Sequence, residues 1–165
     1  MVPKIPTFAF TTASNAGIMN RLTNQVIVKY DGKEITTLAL WDTGATGTCI
    51  STDVVSRLMM TPTGKKNIQT PSGSSQVNTY LVDVMLPNNV NIPQIEVCDS
   101  EIGNQGLGML IGMDIITKGD FSVSNYNGRT VFSFRIPSRK TTNYVDEVRL
   151  EQLTGTHGKG KRKKK

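Results

Sequence analysis

The chain has 165 residues, 19 of them Lys or Arg and 13 Asp or Glu, a length that suits one domain with a buried core of its own. Lys159, Lys161, Arg162, Lys163, Lys164 and Lys165 carry six of the positive charges, and taking those six from 19 leaves 13 basic against 13 acidic residues. The net charge of +6 therefore belongs to the tail, and a body with no excess charge gives little support to a folded nucleic-acid-binding surface.

Residues 1–22 open with Pro3 and Pro6 and a Phe8-Ala9-Phe10 patch, then run through small and polar residues; they read as a pro-region or a dimerisation strand. Gln25 to Tyr30 is a β-type run, Asp31-Gly32 is a strong hairpin turn, and Glu34 to Trp41 is the returning strand. Ser51-Thr52-Asp53 is expected to cap a short helix with Val54, Val55 and Leu58 on one side. Two further β-type segments, Asn67 to Thr70 and Gln76 to Leu86, flank Pro71-Ser72-Gly73-Ser74, whose residue types suit a mobile hairpin tip. Asn88-Asn89 turns the chain into Val90 to Cys98, where Pro93 predicts an edge or irregular position.

A loop containing Gly103, Gly106 and Gly108 leads into Met109 to Ile116, and a last hairpin, Phe121 to Phe134, turns at Asn127-Gly128. Strand signals every eight to twelve residues with little helix predict an all-β barrel or sandwich. From Ser138 the chain turns polar. A modest helix is expected over Asn143 to Leu153, followed by a Gly/Lys-rich disordered tail.

Composition removes several chemistries. The one histidine, His157, lies in the terminal segment, so a His-cluster metal site or a Ser-His-Asp triad is not supported. Cys49 and Cys98 are too few and too far apart for a zinc knuckle or a CxxC pair. With nothing nearby in sequence to lower a thiol pKa, they are expected to stay reduced and inert, packing as small apolar residues. No apolar leader and no membrane-length run occur, so a soluble cytoplasmic chain is expected, with no cofactor.

Chemistry is carried by Leu40-Trp41-Asp42-Thr43-Gly44-Ala45-Thr46, which follows an apolar strand and precedes a short helix. Further on come the glycine-tipped hairpin and a second apolar-apolar-Gly unit, Leu110-Ile111-Gly112, running into Asp114-Ile115-Ile116. In this order the chain resembles the retropepsin-like aspartic proteases, over residues 23–137. The resemblance implies a closed β-barrel with one or two short helices, active as a symmetric homodimer on polypeptide substrates. It implies Asp42 as the catalytic carboxylate, Thr43 as a hydroxyl crossing to the other subunit's loop, and Gly44 as the point where substrate backbone approaches. Ala45 and the flap tip, Thr70, Pro71, Ser72, Gly73, Ser74 and Ser75, would contact substrate. Residues 138–165 would be an extension outside this domain.

The motif has a physical basis independent of the family. Two carboxylates about 3 Å apart cannot both ionise readily, so they share one proton. One can then take a proton from water while the other protonates the substrate carbonyl. A glycine after Thr43 leaves room for peptide and tolerates any left-handed backbone angle. Only one Asp-Thr-Gly is present, so a second carboxylate must come from a second copy, in an isologous C2 dimer.

Retroviral members typically carry an Asp two residues after the motif glycine, paired with an Arg after the second-half glycine. Thr46 and Met113 stand there instead, so both partners of that pair are missing together. Ala45 offers no hydroxyl to the aspartate, which predicts a dyad working at mildly acidic to neutral pH. Trp41 reads as a core or interface aromatic, and Asp114 as a helix-cap or interface residue. The alternative to a protease is a non-catalytic dimeric protein-binding or assembly module of the same fold, with nucleic acid engaged only through the basic tail.

Overall fold

The computed structural model describes residues 6–70 and 73–154. Among the described residues, ten strands and three α-helices follow in chain order. Strands β1 (Phe8–Ala13), β2 (Thr23–Tyr30), β3 (Lys33–Trp41) and β4 (Cys49–Ser51) precede helix α1 (Thr52–Leu58). Then come β5 (Gly64–Thr70), β6 (Gly73–Leu86), β7 (Val90–Ser100) and β8 (Met109–Ile111), followed by helix α2 (Met113–Ile116). Strands β9 (Asp120–Ser124) and β10 (Val131–Ile136) and helix α3 (Tyr144–Thr154) complete the described chain.

The period-2 pattern decides the core. Val26 and Val28 of β2 and Ile35, Ala39 and Trp41 of β3 are buried, while Gln25 and Glu34 face water. Asp31 and Gly32 join these strands with φ of 47° and 72°, the mirror-image turn that matches strand twist. Strands β2, β3, β8, β4, β7 and β6 are neighbours in that order, and β6 pairs back onto β2, closing a six-stranded barrel. The pairings β3–β8 and β4–β7 are parallel, which places the ends of β3 and β8 side by side at one rim.

Strand β6 is longer than its barrel portion. Its first half pairs with β5 alone at the tip, from Asn67↔Gln76 to Thr70↔Gly73, making a hairpin that projects from the barrel. Pro93 interrupts β7 as its ring requires. The β6–β7 register shifts between Val82 and Val84, and Gln94 takes a φ of 50°. Helix α1 starts where expected: the Ser51 hydroxyl accepts the Val54 N–H, and Val54 and Leu58 are buried. Val55 packs against the core from a partly buried position.

A second sheet, β1-β10-β9, lies beside the barrel. Its β9–β10 connection passes through Asn127 and Gly128 at φ of 53° and 70°. Phe10 of β1, Phe121 of β9 and Phe132 and Phe134 of β10 gather around Trp41, whose ring stacks on Phe121 with centroids 5.2 Å apart. Trp41 is thus the core aromatic expected, and it ties the end of β3 to both sheets. Helix α3 buries no residue. No helix among the described residues is long and apolar enough to cross a membrane. His157 and the lysine-rich tail lie outside the described residues.

Candidate active site

Asp42 leaves the barrel at the C-terminal end of β3. Its backbone N–H donates to the Ile111 carbonyl at 2.9 Å, so the loop starts braced against the end of β8. The half-exposed carboxylate folds back to accept the Gly44 N–H at Oδ1, 2.8 Å away. The Ala45 N–H donates to the Asp42 carbonyl at 3.3 Å, which completes a tight turn. The Gly44 φ lies outside the left-handed region, so backbone freedom is not what the position requires. A Cβ there would stand 3.1 Å from the Asp42 carboxylate oxygen, so a larger residue would make that side chain give by a few tenths of an ångström.

Thr43 is exposed, and among the described residues of the chain its hydroxyl has no hydrogen-bond partner. Within one chain the loop is fixed from behind. The Met113 N–H donates to the Ala45 carbonyl at 2.9 Å. A Cβ on Gly112 would fall 2.6 Å from the Gly47 carbonyl carbon and oxygen, so the two segments cross at a distance only glycine permits.

The second brace is Asp114. Its carboxylate accepts the Thr48 N–H at 3.0 Å and the Thr48 hydroxyl at 2.7 Å, as well as its own helix's Ile115 N–H at 2.9 Å. Asp114 is therefore more than the expected helix cap: it anchors the strand leaving the Asp42 loop. With Thr46 and Met113 at the positions of the retroviral-type ion pair, this bidentate bond joins the same two segments.

A cleft of about 480 Å³ runs between the Gly44–Gly47 loop and strand β5, with Ala45 and Thr46 on one side and Ile68 and Gln69 on the other. The structure thus holds Asp42, Thr43, Gly44 and Ala45 in one loop, of which Gly44 and Ala45 line the cleft. It does not bring the rest of the expected contact set there. Gly73, Ser74 and Ser75 are exposed on β6 at the far end of the hairpin, and Thr70 ends β5 opposite Gly73. Pro71 and Ser72 lie outside the described residues.

The cleft wall also holds both cysteines and Lys66, none of which the sequence reading placed in the site. Cys49 of β4 and Cys98 of β7 are register partners with Sγ atoms 3.1 Å apart. The Cys49 S–H held by Cys98 and the nearby Lys66 ammonium bring the Cys98 thiol down to about 7, against the opposing effect of burial. The same hydrogen bond, with burial, pushes Cys49 up. The premise that nothing lies near to lower either thiol is therefore corrected: Cys49 and Lys66, 49 and 32 positions from Cys98, supply what no sequence neighbour does. Only the parallel β4–β7 pairing reveals it.

The family model described as "gag-polyprotein putative aspartyl protease" matches residues 26–118, more than half of the chain. The chain belongs to this aspartyl protease family. The matched stretch runs from β2 through α2 and contains the whole Asp42 loop with its Ile111, Gly112 and Asp114 braces. Among solved structures, the crystal structure of a retropepsin-like aspartic protease from Rickettsia conorii superposes with a TM-score of 0.51 at 13% identity. The match covers 81% of this chain and 98% of that one, and it shows a retropepsin-like fold. The EIAV protease in complex with the inhibitor HBY-793 matches with a TM-score of 0.45 at 19% identity, covering 62% of this chain and 91% of that one. No curated protein matches the chain.

Proposed function

We propose that this chain is an aspartic endopeptidase working as a C2 homodimer, with the two Asp42 carboxylates, one per subunit, sharing a proton across the axis. The observation that carries this reading is a single Asp-Thr-Gly turn with a half-exposed carboxylate, in a loop whose Gly44 and Ala45 line a cleft, in a chain of the aspartyl protease family. One carboxylate alone is a poor acid–base device near neutral pH; a close pair divides into one acid and one base. The ionised member takes a proton from a bound water, which attacks the peptide carbonyl. The protonated member gives its proton to the carbonyl oxygen, and a tetrahedral diol forms with no covalent bond to the enzyme.

In this reading the exposed Thr43 hydroxyl reaches the partner subunit's loop, and substrate backbone passes over Gly44 and Ala45. The β5–β6 hairpin, with its tip at Thr70 to Ser75, serves as the flap that pins an extended peptide as an added strand. Residues 23–137 form the protease domain, residues 1–22 contribute a strand beside it, and 138–165 extend from it. The fixed backbone amides and the Thr48–Asp114 brace keep the carboxylates in place, which supports positioning as the main catalytic contribution of the scaffold.

Asp42→Asn tests the reading. Cleavage of a peptide library, sensitive to a statine-containing transition-state mimic, should disappear in the variant while circular dichroism and dimer mass stay unchanged. Retained proteolysis would refute the assignment. A wild-type chain that dimerises yet cleaves nothing would favour the non-catalytic assembly module.

A further inference from the structure

We infer that Cys49 and Cys98 are a redox-modification site, forming a reversible disulfide in the wall of the cleft beside the Asp42 loop and coupling that cleft to oxidants. The coupling to peptide cleavage rests on the protease reading; the disulfide itself does not.

The geometry is already close to that of the bond. Paired residues on neighbouring parallel strands project to the same face and sit about 4.8 Å apart, within the Cα span a disulfide accepts. Cys49 and Cys98 occupy such a pair, and their sulfurs are in contact at 3.1 Å. Neither strand has to change register for the bond to form.

Access comes through the cleft. Cys98 is buried, whereas Cys49 is partly exposed, and both line the cleft between the Gly44–Gly47 loop and β5. A small hydroperoxide fits such an opening. Lys66 of β5 also lines this cleft, near enough to favour a thiolate at the pair, and the thiolate is the form that attacks.

The chemistry closes with a hydroperoxide as oxidant. The Cys98 thiolate attacks one peroxide oxygen, the O–O bond breaks, and water leaves once the departing oxygen takes up a proton; Cys98 becomes a sulfenic acid. Cys49 sulfur then attacks Cys98 Sγ, the S–O bond breaks, and the departing hydroxide leaves as water with the Cys49 proton. Two thiols and one hydrogen peroxide give one disulfide and two waters. A dithiol reductant reverses the change by exchange.

The consequence for the cleft follows from position. The bond would fasten β4, the strand that leaves the Asp42 loop, to β7, and close a loop containing α1 and the β5–β6 hairpin. It would also draw both sulfurs into the wall and remove the thiolate facing Lys66. Small displacements next to reacting groups are costly, so the oxidised chain is expected to cleave peptide with roughly tenfold lower kcat/KM.

The test uses the full chain, treated with hydrogen peroxide and then with dithiothreitol. Intact mass should fall by two hydrogens, non-reducing peptide maps should show Cys49 joined to Cys98, and the reductant should restore the starting mass. Peptide cleavage should drop and recover in step. Cys98→Ala and Cys49→Ser should each lose the oxidised-to-reduced difference in rate, whatever their own rates are. Oxidation that gives only intermolecular dimers, or separate oxygen adducts on each cysteine, would overturn the site. A disulfide that forms without changing cleavage would overturn the coupling. A chain that forms the disulfide but cleaves nothing in either state would keep the site and overturn the protease reading.

Discussion

Thr48 and Asp114 are 66 positions apart, yet the backbone N–H and hydroxyl of one both end on the carboxylate of the other, at 3.0 and 2.7 Å. Thr48 is buried, and its hydroxyl oxygen in turn accepts the Gly112 N–H at 3.1 Å. This three-residue node holds the Asp42 loop to the entry of α2. Asp114→Ala removes the acceptor and leaves the Thr48 donors unpaired. A loss of about 2 kcal/mol is expected from hydrogen bonds to a charged group, read as a lower urea midpoint with unchanged slope. Asp114→Asn, which keeps one acceptor oxygen, should recover part of it.

Gly112→Ala tests the crossing of the two loops. The added methyl would meet the Gly47 backbone at 2.6 Å and the Ala45 carbonyl at 3.0 Å, and backbone cannot step aside as a side-chain end can. A destabilisation of about 3 kcal/mol is expected from overpacking, together with loss of peptide cleavage. Gly106→Ala is a useful contrast. No atom lies within 4 Å of its Cβ, so only the strain of a φ of 73° remains, and the loss should be nearer 1 kcal/mol.

Phe10 joins β1 to the rest of the molecule. It is 2% exposed and touches Trp41, Phe132 and Phe134 with ring centroids 5.7 to 6.3 Å apart. Phe10→Ala should cost about 3–4 kcal/mol, the usual range for emptying a buried aromatic site. Phe8→Ala, two residues earlier at the exposed start of the strand and 47% exposed, should cost well under 1 kcal/mol. Thermal unfolding of the two variants separates the cases.

Asp120 gives an acid-side dependence. Its carboxylate accepts from the Ser138 hydroxyl, the Arg135 guanidinium and the Arg139 N–H, which together hold it well below the ordinary carboxylate range. A carboxyl depressed in the folded state contributes stability above its unfolded pKa, near 3.9, and loses that contribution as pH falls toward the folded value. Asp120→Asn should therefore be less stable than wild type at pH 6, with the gap narrowing steadily below about pH 4. Parallel urea titrations at pH 6, 4 and 3 measure it. A gap constant across that range would contradict the assignment.

Local physics made much of the fold readable. The turns at Asp31-Gly32 and Asn127-Gly128, the Ser51 cap and the Pro93 irregularity each depend on a few adjacent residues, and each lies where those residues put it. The Asp42 motif was readable for the same reason, since its turn is built from residues 42 to 45. The β1 strand was harder to recognise. Phe8-Ala9-Phe10 followed by small polar residues lacks a clean alternation, and its pairing with β10 joins residues more than 115 positions apart.

Sequence alone determined the period of the strands, the positions of the turns and the single acidic turn around which the functional reading is built, because these are set by neighbours in the chain. Tertiary structure decided which distant groups meet. It placed Asp114 under Thr48, Gly112 against Gly47, and Cys98 beside Cys49 and Lys66. Barrel closure fixes those meetings through register between strands, and register is a property of the whole sheet that no local run of residues contains.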